Sequence, residues 1–121
     1  MQNNMISIDS ARHPMWTQRQ ALLELKALEP LLKGIGFHCG LTGSVMYVGE
    51  SFKDLDVIIY PRDVQAGTPP NWDIVKEFLK RHFECEESYQ CQSSREHSRD
   101  AKNVWVVTTK TGQRIDFFFL S

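Results

Sequence analysis

Apolar side chains recur at roughly helical spacing across the first third of the chain. This pattern predicts a helix over residues 15–32. Its apolar residues are Met15, Trp16, Leu22, Leu23, Leu25, Leu28, Leu31 and Leu32. Pro14 fits the first helical position, where its missing N–H would be unpaired in any case. Pro30 is expected to kink the helix or split off its last turn, and the glycines at 34 and 36 to end it. Residues 1–13 are expected to form a loosely held lead-in.

Two short apolar segments after this helix are typical of strands. Residues 37–42 predict a buried strand, and residues 45–48 predict a turn or short helix that Gly49 ends. Residues 54–60 form the clearest strand pattern of the chain, because they are rich in β-branched side chains and are closed by Pro61.

The second half of the chain begins with a loop, since residues 61–70 hold three prolines and a glycine. Asn71 is expected to cap a second helix. The apolar stripe of that helix comprises Trp72, Val75, Phe78 and Leu79. Residues 84–90 are ambiguous, with a strand as one interpretation. Residues 92–102 are polar without periodicity and predict an exposed loop.

The last two apolar segments, 104–109 and 113–120, predict a hairpin around Thr111-Gly112. The order of elements is then helix, strand, strand, helix and hairpin. That order predicts an α/β (α+β) fold, with a small mixed sheet and helices packed on one face. Because the chain has 121 residues and shows no internal repeat or linker, we expect a single domain over residues 1–121.

Charge and cysteine content narrow the classes of function. The net charge is -1 and the pI is about 6.4, so the chain has no global electrostatic attraction for nucleic acid. The three cysteines are an odd number, the first residues do not resemble a leader, and no apolar run approaches about 20 residues. We therefore expect a reduced, cytoplasmic protein that does not interact with membranes.

Two aspartates stand at the start of the clearest strand. Asp54 and Asp56 alternate along it and therefore project from the same face. Neighbouring carboxylates repel each other and lose hydration, which a bound cation offsets. Asp116 interrupts the apolar run 115–120, where an acid also needs a partner. If the two strands are neighbours, three carboxylates converge, which is what a two-metal phosphoryl-transfer or nucleotidyl-transfer site needs.

A Gly-Ser pair precedes these aspartates. Gly43 lies at the end of a predicted strand, where glycine allows the backbone to approach a ligand closely. The Ser44 hydroxyl can donate to a phosphate. A helical turn that begins at Val45 would add free N–H groups to such an anion site.

Taken together, these residues resemble the signature of the DNA polymerase β-like nucleotidyltransferase superfamily, above all its minimal nucleotidyltransferase branch. The signature is segment 41–44, which ends in Gly-Ser, then nine residues, then Asp-Leu-Asp at 54–56. Gly49 is similar to a second glycine of that branch. Asp116 is similar to the third carboxylate of the family, on a later strand. The resemblance covers roughly residues 14–120.

This resemblance implies transfer of a nucleoside monophosphate from a nucleoside triphosphate such as ATP to an acceptor hydroxyl, with release of pyrophosphate. It implies two Mg²⁺ or Mn²⁺ ions as cofactors. The catalytic and metal-binding residues would be Asp54, Asp56 and Asp116. Gly43 and Ser44 would position the terminal phosphates, and Lys53 would add a phosphate contact. Val48 and Lys53 replace the arginine and serine that the family often has there, which affects nucleotide contacts and substrate choice.

Alternatives stand beside each of these interpretations. Asp54 and Asp56 also fit two solvated acids in a turn at the start of a strand, and Asp116 fits an edge-strand acid near Arg114 or Lys110. For the whole chain, the alternative is a catalytically inactive module of the same fold that acts through a partner protein. For an enzyme, the acceptor is a small molecule, a protein or an RNA end, and a second subunit or a homodimer would complete the site.

Two further clusters have weaker patterns. Cys85, Cys91 and His97 are evenly spaced but lack the paired Cys-x-x-Cys of a structural zinc site. Arg95, His97, Arg99 and Lys102 form a local basic cluster that fits either a solvated loop or a phosphate clamp.

Overall fold

The computed structural model describes residues 15–63, 67–85, 88–91 and 104–120. The elements in these residues are β1 (Trp16–Thr17), α1 (Gln18–Gly34), β2 (Phe37–Thr42), α2 (Gly43–Val48), β3 (Glu50–Ser51), β4 (Asp54–Pro61), α3 (Trp72–His82), β5 (Ser88–Cys91), β6 (Val104–Thr108) and β7 (Arg114–Phe119). The described residues thus form a mixed α+β fold with three helices.

Helix α1 starts later than its apolar pattern predicts. Thr17 caps it, because the Gln20 N–H donates to Thr17 Oγ1 at 3.2 Å and the Thr17 N–H donates to Gln20 Oε1 at 3.0 Å. The prediction that Met15 and Trp16 are helical is therefore wrong. Trp16 instead pairs with Ser51 in a two-stranded sheet formed by β1 and β3.

Helix α1 ends at the glycines that were predicted to end it. Pro30 lies inside the helix, which continues without a break to Gly34, so the last turn is not split off. Gly36 follows with a φ of +92°, a left-handed conformation that glycine adopts without strain. The glycines therefore end the helix as predicted, and the chain turns directly into β2.

Five strands form one mixed sheet in the order β2-β4-β7-β6-β5. Strand β4 pairs parallel with β7, and the other neighbours pair antiparallel. The predicted small mixed sheet is confirmed. Strand β7 is internal, between β4 and β6, so the alternative that Asp116 lies on an edge strand is wrong.

The hydrophobic core lies on one face of this sheet. Alternate residues of β4 and β7 point to that face because successive side chains of a strand alternate. The buried strand residues are Leu55, Val57, Ile59, Ile115, Phe117 and Phe119. They form one cluster with the buried helix residues Ala21, Leu28, Leu32, Val45, Val75 and Leu79. The helices thus cover the core face of the sheet, and the intervening strand residues point to the opposite face.

The other helices and strands lie close to their predicted positions. Helix α2 begins at Gly43 rather than Val45 and ends before Gly49, whose φ is +97°. Asn71 stands at the start of α3 as predicted, but its side chain makes no capping hydrogen bond. The ambiguous region before residue 92 contains strand β5. The hairpin of β6 and β7 is confirmed.

Two expected segments, the lead-in 1–13 and the loop 92–102, lie outside the described residues. Within the described ranges, no helix has the length and apolar character to cross a membrane.

Two adjacent leucines of α1 provide a test of this packing. Leu32 is fully buried, whereas Leu31 is 49% exposed. We expect Leu32→Ala to lower the free energy of unfolding by roughly 3 kcal/mol, because the truncation leaves a cavity in the core. The matched control Leu31→Ala should cost less than about 1 kcal/mol. Urea denaturation of both variants measures the difference, and equal losses would contradict the assigned core face of α1.

Candidate metal centre

The parallel register of β4 and β7 brings three carboxylates together. Asp56 lies opposite Asp116, and Asp54 lies opposite Arg114. These residues alternate with the core residues, so their side chains lie on the face away from the core. Asp54, Asp56 and Asp116 each place one carboxylate oxygen within 4.8 Å of the others. We call these three residues the carboxylate cluster.

Strand β4 begins at a fixed point because Ser51 anchors the turn before it. Ser51 is buried, and its Oγ accepts hydrogen bonds from the N–H groups of Lys53 at 3.3 Å and Asp54 at 3.2 Å. Ser51 was not among the site residues predicted from the sequence. A serine that bonds backbone N–H groups two and three residues later is a local pattern that the sequence displays.

Strand β7 is anchored by a residue far away in sequence. The buried indole of Trp16 donates from Nε1 to the carbonyl oxygen of Arg114 at 2.9 Å. Since Ser51 is the register partner of Trp16 in the β1–β3 pair, the first residues of both β4 and β7 are held by the small two-stranded sheet. No local signal reveals this contact, because the two residues are 98 positions apart.

Gly43 packs its backbone directly against the carboxylate of Asp56. Its φ is +73°, and a Cβ added there would overlap the Asp56 carboxylate, lying 2.8 Å from Cγ. Real Cβ atoms do not approach other heavy atoms so closely, so the site excludes every side chain at position 43. The Gly-Ser pair is therefore in direct contact with the second aspartate.

Arg114 is the cationic partner of the carboxylate cluster. Its Nε lies 2.8 Å from Asp116 Oδ1, its Nη2 lies 3.3 Å from Asp116 Oδ2, and its Nε lies 3.9 Å from Asp54 Oδ2. The fork of the guanidinium thus holds both oxygens of Asp116. Asp116 does not lie on an edge strand, but the part of that alternative that placed it near Arg114 is confirmed. Lys110 bonds Glu84 at 2.8 Å instead.

The cluster carries more negative charge than Arg114 offsets. Burial, together with the charges of Asp54 and Asp116, raises the pKa of Asp56 to about 7 against the opposing effect of Arg114. Burial and the Asp116 charge also raise the pKa of Asp54, although Arg114 and Lys53 act in the opposite direction. Both aspartates are strand residues and half-buried, so the alternative of two solvated acids in a turn is wrong.

These observations fit a hard divalent cation. The donors are carboxylate oxygens, which Mg²⁺ and Mn²⁺ prefer, and one oxygen from each residue is close enough to the others to share an ion. Burial and the two neighbouring carboxylates raise the pKa of Asp56, and a bound cation would offset both effects. Asp54, Asp56 and Asp116 could therefore hold a metal ion.

Two adjacent cavities surround the cluster. The larger has a volume of about 610 Å³ and is lined by Lys53, Asp54, Asp56, Arg114, Asp116 and Phe118. The smaller has a volume of about 270 Å³ and is lined by Thr42, Gly43, Asp56, Ile58, Phe118 and Leu120. Of the predicted phosphate contacts, Lys53 lines the larger cavity and Gly43 the smaller one. Ser44 is exposed at the second residue of α2 and lines neither cavity.

The other residues considered from sequence are only partly described. The Cys85 thiol lies 3.9 Å from the carbonyl oxygen of Lys80, to which it donates. His97, the side chain of Cys91 and the basic residues Arg95, Arg99 and Lys102 lie outside the described residues. The zinc hypothesis and the phosphate-clamp hypothesis therefore stay predictions.

Comparison with known proteins finds no matching protein family, no matching curated protein and no matching solved structure.

The contact between Gly43 and Asp56 predicts the effect of adding one methyl group. We expect Gly43→Ala to weaken Mn²⁺ binding by roughly tenfold or more, because the new Cβ displaces a carboxylate of the cluster. Gly34→Ala is the matched control, since a Cβ at Gly34 meets no atom within 4 Å. Isothermal titration of both variants with Mn²⁺ compares them. Equal affinities would contradict a role for Asp56 as a ligand.

The raised pKa of Asp56 predicts a pH dependence of stability. In the folded state the proton is held up to a pH of about 7, whereas the unfolded chain releases it near 3.8. The unfolded state therefore binds fewer protons within this window, and the free energy of unfolding falls as the pH rises from about 4 to about 7. Asp56→Asn should show a smaller fall in EDTA-containing buffer. Urea denaturation at several pH values measures both slopes.

The matched control for this experiment is Asp73→Asn, because the Asp73 side chain is 93% exposed. It should keep the slope of the unmodified protein. If Asp56→Asn keeps that slope too, Asp56 does not titrate in the window given by its raised pKa.

Proposed function

We propose that the protein is a metal-dependent nucleotidyltransferase. It would transfer a nucleoside monophosphate from a nucleoside triphosphate to an acceptor hydroxyl and release pyrophosphate. The observation that carries this proposal is the convergence of Asp54, Asp56 and Asp116 on one face of the sheet, with the backbone of Gly43 against Asp56. The resemblance of these residues to the polymerase β-like signature supports the same fold and activity.

Asp54, Asp56 and Asp116 would hold two Mg²⁺ or Mn²⁺ ions, whose charge, when bound, would offset that of the triphosphate and lower the pKa of the acceptor hydroxyl. The acceptor oxygen forms a bond to the α-phosphorus, and the bond from that phosphorus to the bridging oxygen breaks. Asp116 takes the proton of the hydroxyl. Arg114 fixes the orientation of the Asp116 carboxylate through its two contacts.

Three residues around the cluster would contact the phosphates. Lys53 lines the larger cavity beside Asp54 and supplies a positive charge. Gly43 lines the smaller cavity and would let a phosphate approach the backbone closely, because it carries no side chain. Ser44 follows at the start of α2, where its hydroxyl can donate to the terminal phosphate.

A nucleotide titration tests this proposal. We expect ATP, GTP, CTP or UTP to bind in the presence of Mg²⁺ and not in EDTA, because the carboxylates repel an uncompensated triphosphate. Asp54→Asn and Asp56→Asn should each weaken binding by roughly a hundredfold, since a ligand of the metal is lost. Isothermal titration calorimetry gives the affinities. The exposed Asp73 provides the control Asp73→Asn, which should bind like the unmodified protein.

A second candidate function is a catalytically inactive binding module that acts through a partner protein. The observation that favours it is the ion pair of Arg114 with Asp116 at 2.8 Å, because an internal cation can stabilise the cluster without a metal. The same titration separates the two candidates. Absence of Mg²⁺-dependent binding of all four nucleotides would support the binding module.

A further inference from the structure

Strand β2 forms one edge of the five-stranded sheet. Among the described strands it pairs with β4 alone. In an antiparallel pair, the backbone groups of alternate residues point toward the neighbouring strand, and those of the residues between them point outward. The Cys39 N–H donates to a side chain of α1, so the backbone groups of Cys39 and of Leu41, two residues later, point outward. Outward N–H and C=O groups of an edge strand are a template for pairing with another strand.

The side chain that occupies this edge is Glu29 of α1. Its Oε1 accepts a hydrogen bond from the Cys39 N–H at 2.9 Å, and its Oε2 lies 2.7 Å from His38 Nδ1. Burial opposes ionisation, but the hydrogen bonds from Cys39 and His38 lower the pKa of Glu29. Because an ionised carboxylate only accepts, the imidazole donates. Two consecutive residues of β2 therefore hold the carboxylate against the edge.

We propose that Glu29 prevents β2 from pairing with the β2 strand of a second copy of this chain. A strand added at this edge needs the Cys39 N–H as a donor, and Glu29 Oε1 already accepts from that group. The incoming strand would also cover the carboxylate, and a carboxylate that loses water without gaining a new partner is costly. Charged side chains at sheet edges are a known protection against such pairing.

A second copy is the strand donor that fits this edge best. When β2 pairs antiparallel with β2 about a two-fold axis, each copy offers the other the same outward groups, and the contact closes after two copies. Pairing of β2 with β5, the strand at the other edge, would instead extend the sheet from copy to copy without an end. The symmetric pairing is therefore the first product expected when the edge is open.

The protected edge lies next to the candidate metal centre. Strand β2 ends at Thr42, opposite Asp56, and leads directly into Gly43. Thr42 and Gly43 both line the smaller cavity. A strand added beyond β2 would lie one strand spacing, about 4.8 Å, from these residues. Glu29 thus keeps a foreign chain away from this side of the cavity. The inference depends only on the contacts of α1 with β2, so it stands apart from the proposed function.

Removal of the carboxylate tests the inference. Glu29→Ala leaves the Cys39 N–H open, so we expect its apparent mass in light scattering to rise with concentration to about twice that of the unmodified protein. Hydrogen exchange of residues 37–42 should then be slower at high concentration, because their outward N–H groups enter the new pairing. Glu29→Asp should associate in the same way, since its shorter side chain withdraws the acceptor but keeps the charge. If circular dichroism shows that Glu29→Ala does not fold, Glu29→Asp provides the test.

Three control variants should keep the mass of the unmodified protein. Glu29→Gln retains an oxygen that accepts from the Cys39 N–H, and His38→Ala removes the imidazole but leaves that hydrogen bond in place. Glu24→Ala removes one negative charge from α1 at a position five residues earlier, which is about 140° away around the helix.

An unchanged mass of both Glu29→Ala and Glu29→Asp at every concentration would overturn the inference. Association of Glu29→Gln or His38→Ala as strong as that of Glu29→Ala would overturn it too, because the Cys39 N–H keeps its acceptor in both. Slower exchange in a segment other than 37–42 would overturn it by showing that a different surface associates. The nucleotide titration tests the proposed function separately.

Discussion

The parallel pairing of β4 with β7 determines which side chains meet on each face of the sheet. It places Asp56 opposite Asp116 on one face and Val57 opposite Phe117 on the other. A slip of one residue would exchange the faces of β7, so that Phe117 would face Asp56 and Asp116 would enter the hydrophobic core. Such a slip would also expose the apolar side chains of β7 to water, which is unfavourable. The burial of these side chains therefore fixes the position of Asp116.

Several independent contacts stabilise the cluster of three acidic side chains. Arg114 binds both oxygens of Asp116, and Gly43 gives Asp56 the room it needs. Ser51 and Trp16 fix the first residues of the two strands from outside the main sheet. Burial and the charges of Asp54 and Asp116 still raise the pKa of Asp56. Raised pKa values of this kind occur where a protein binds cations or does acid–base chemistry, although structural networks produce them too.

Local patterns in the sequence predicted much of this arrangement. The alternation of Asp54 and Asp56 with apolar residues indicated their common face, and Asp116 stood out because it interrupts the apolar run 115–120. The contacts that the sequence did not reveal are those formed between distant segments. Trp16 fits a helical stripe equally well, and only its pairing with Ser51 shows that it belongs to a strand. Arg114 was considered as a neighbour of Asp116, but its approach to Asp54 depends on the strand pairing. The capping role of Asn71 failed because a suitable residue type does not ensure the required side-chain geometry.

The separation of β4 from β7 along the chain also has a consequence for synthesis. Asp56 emerges from the ribosome 60 residues before its register partner Asp116. Since synthesis adds about 5–20 residues per second, the edge of β4 that later pairs with β7 stays unpaired for roughly 3–12 s. During that interval the chain can pair β2 with β4, but the N–H and C=O groups along the other edge of β4 stay open to foreign strands. The charged groups at Asp54 and Asp56 then act as gatekeepers on an apolar edge, a protective role that precedes any chemistry in the finished protein.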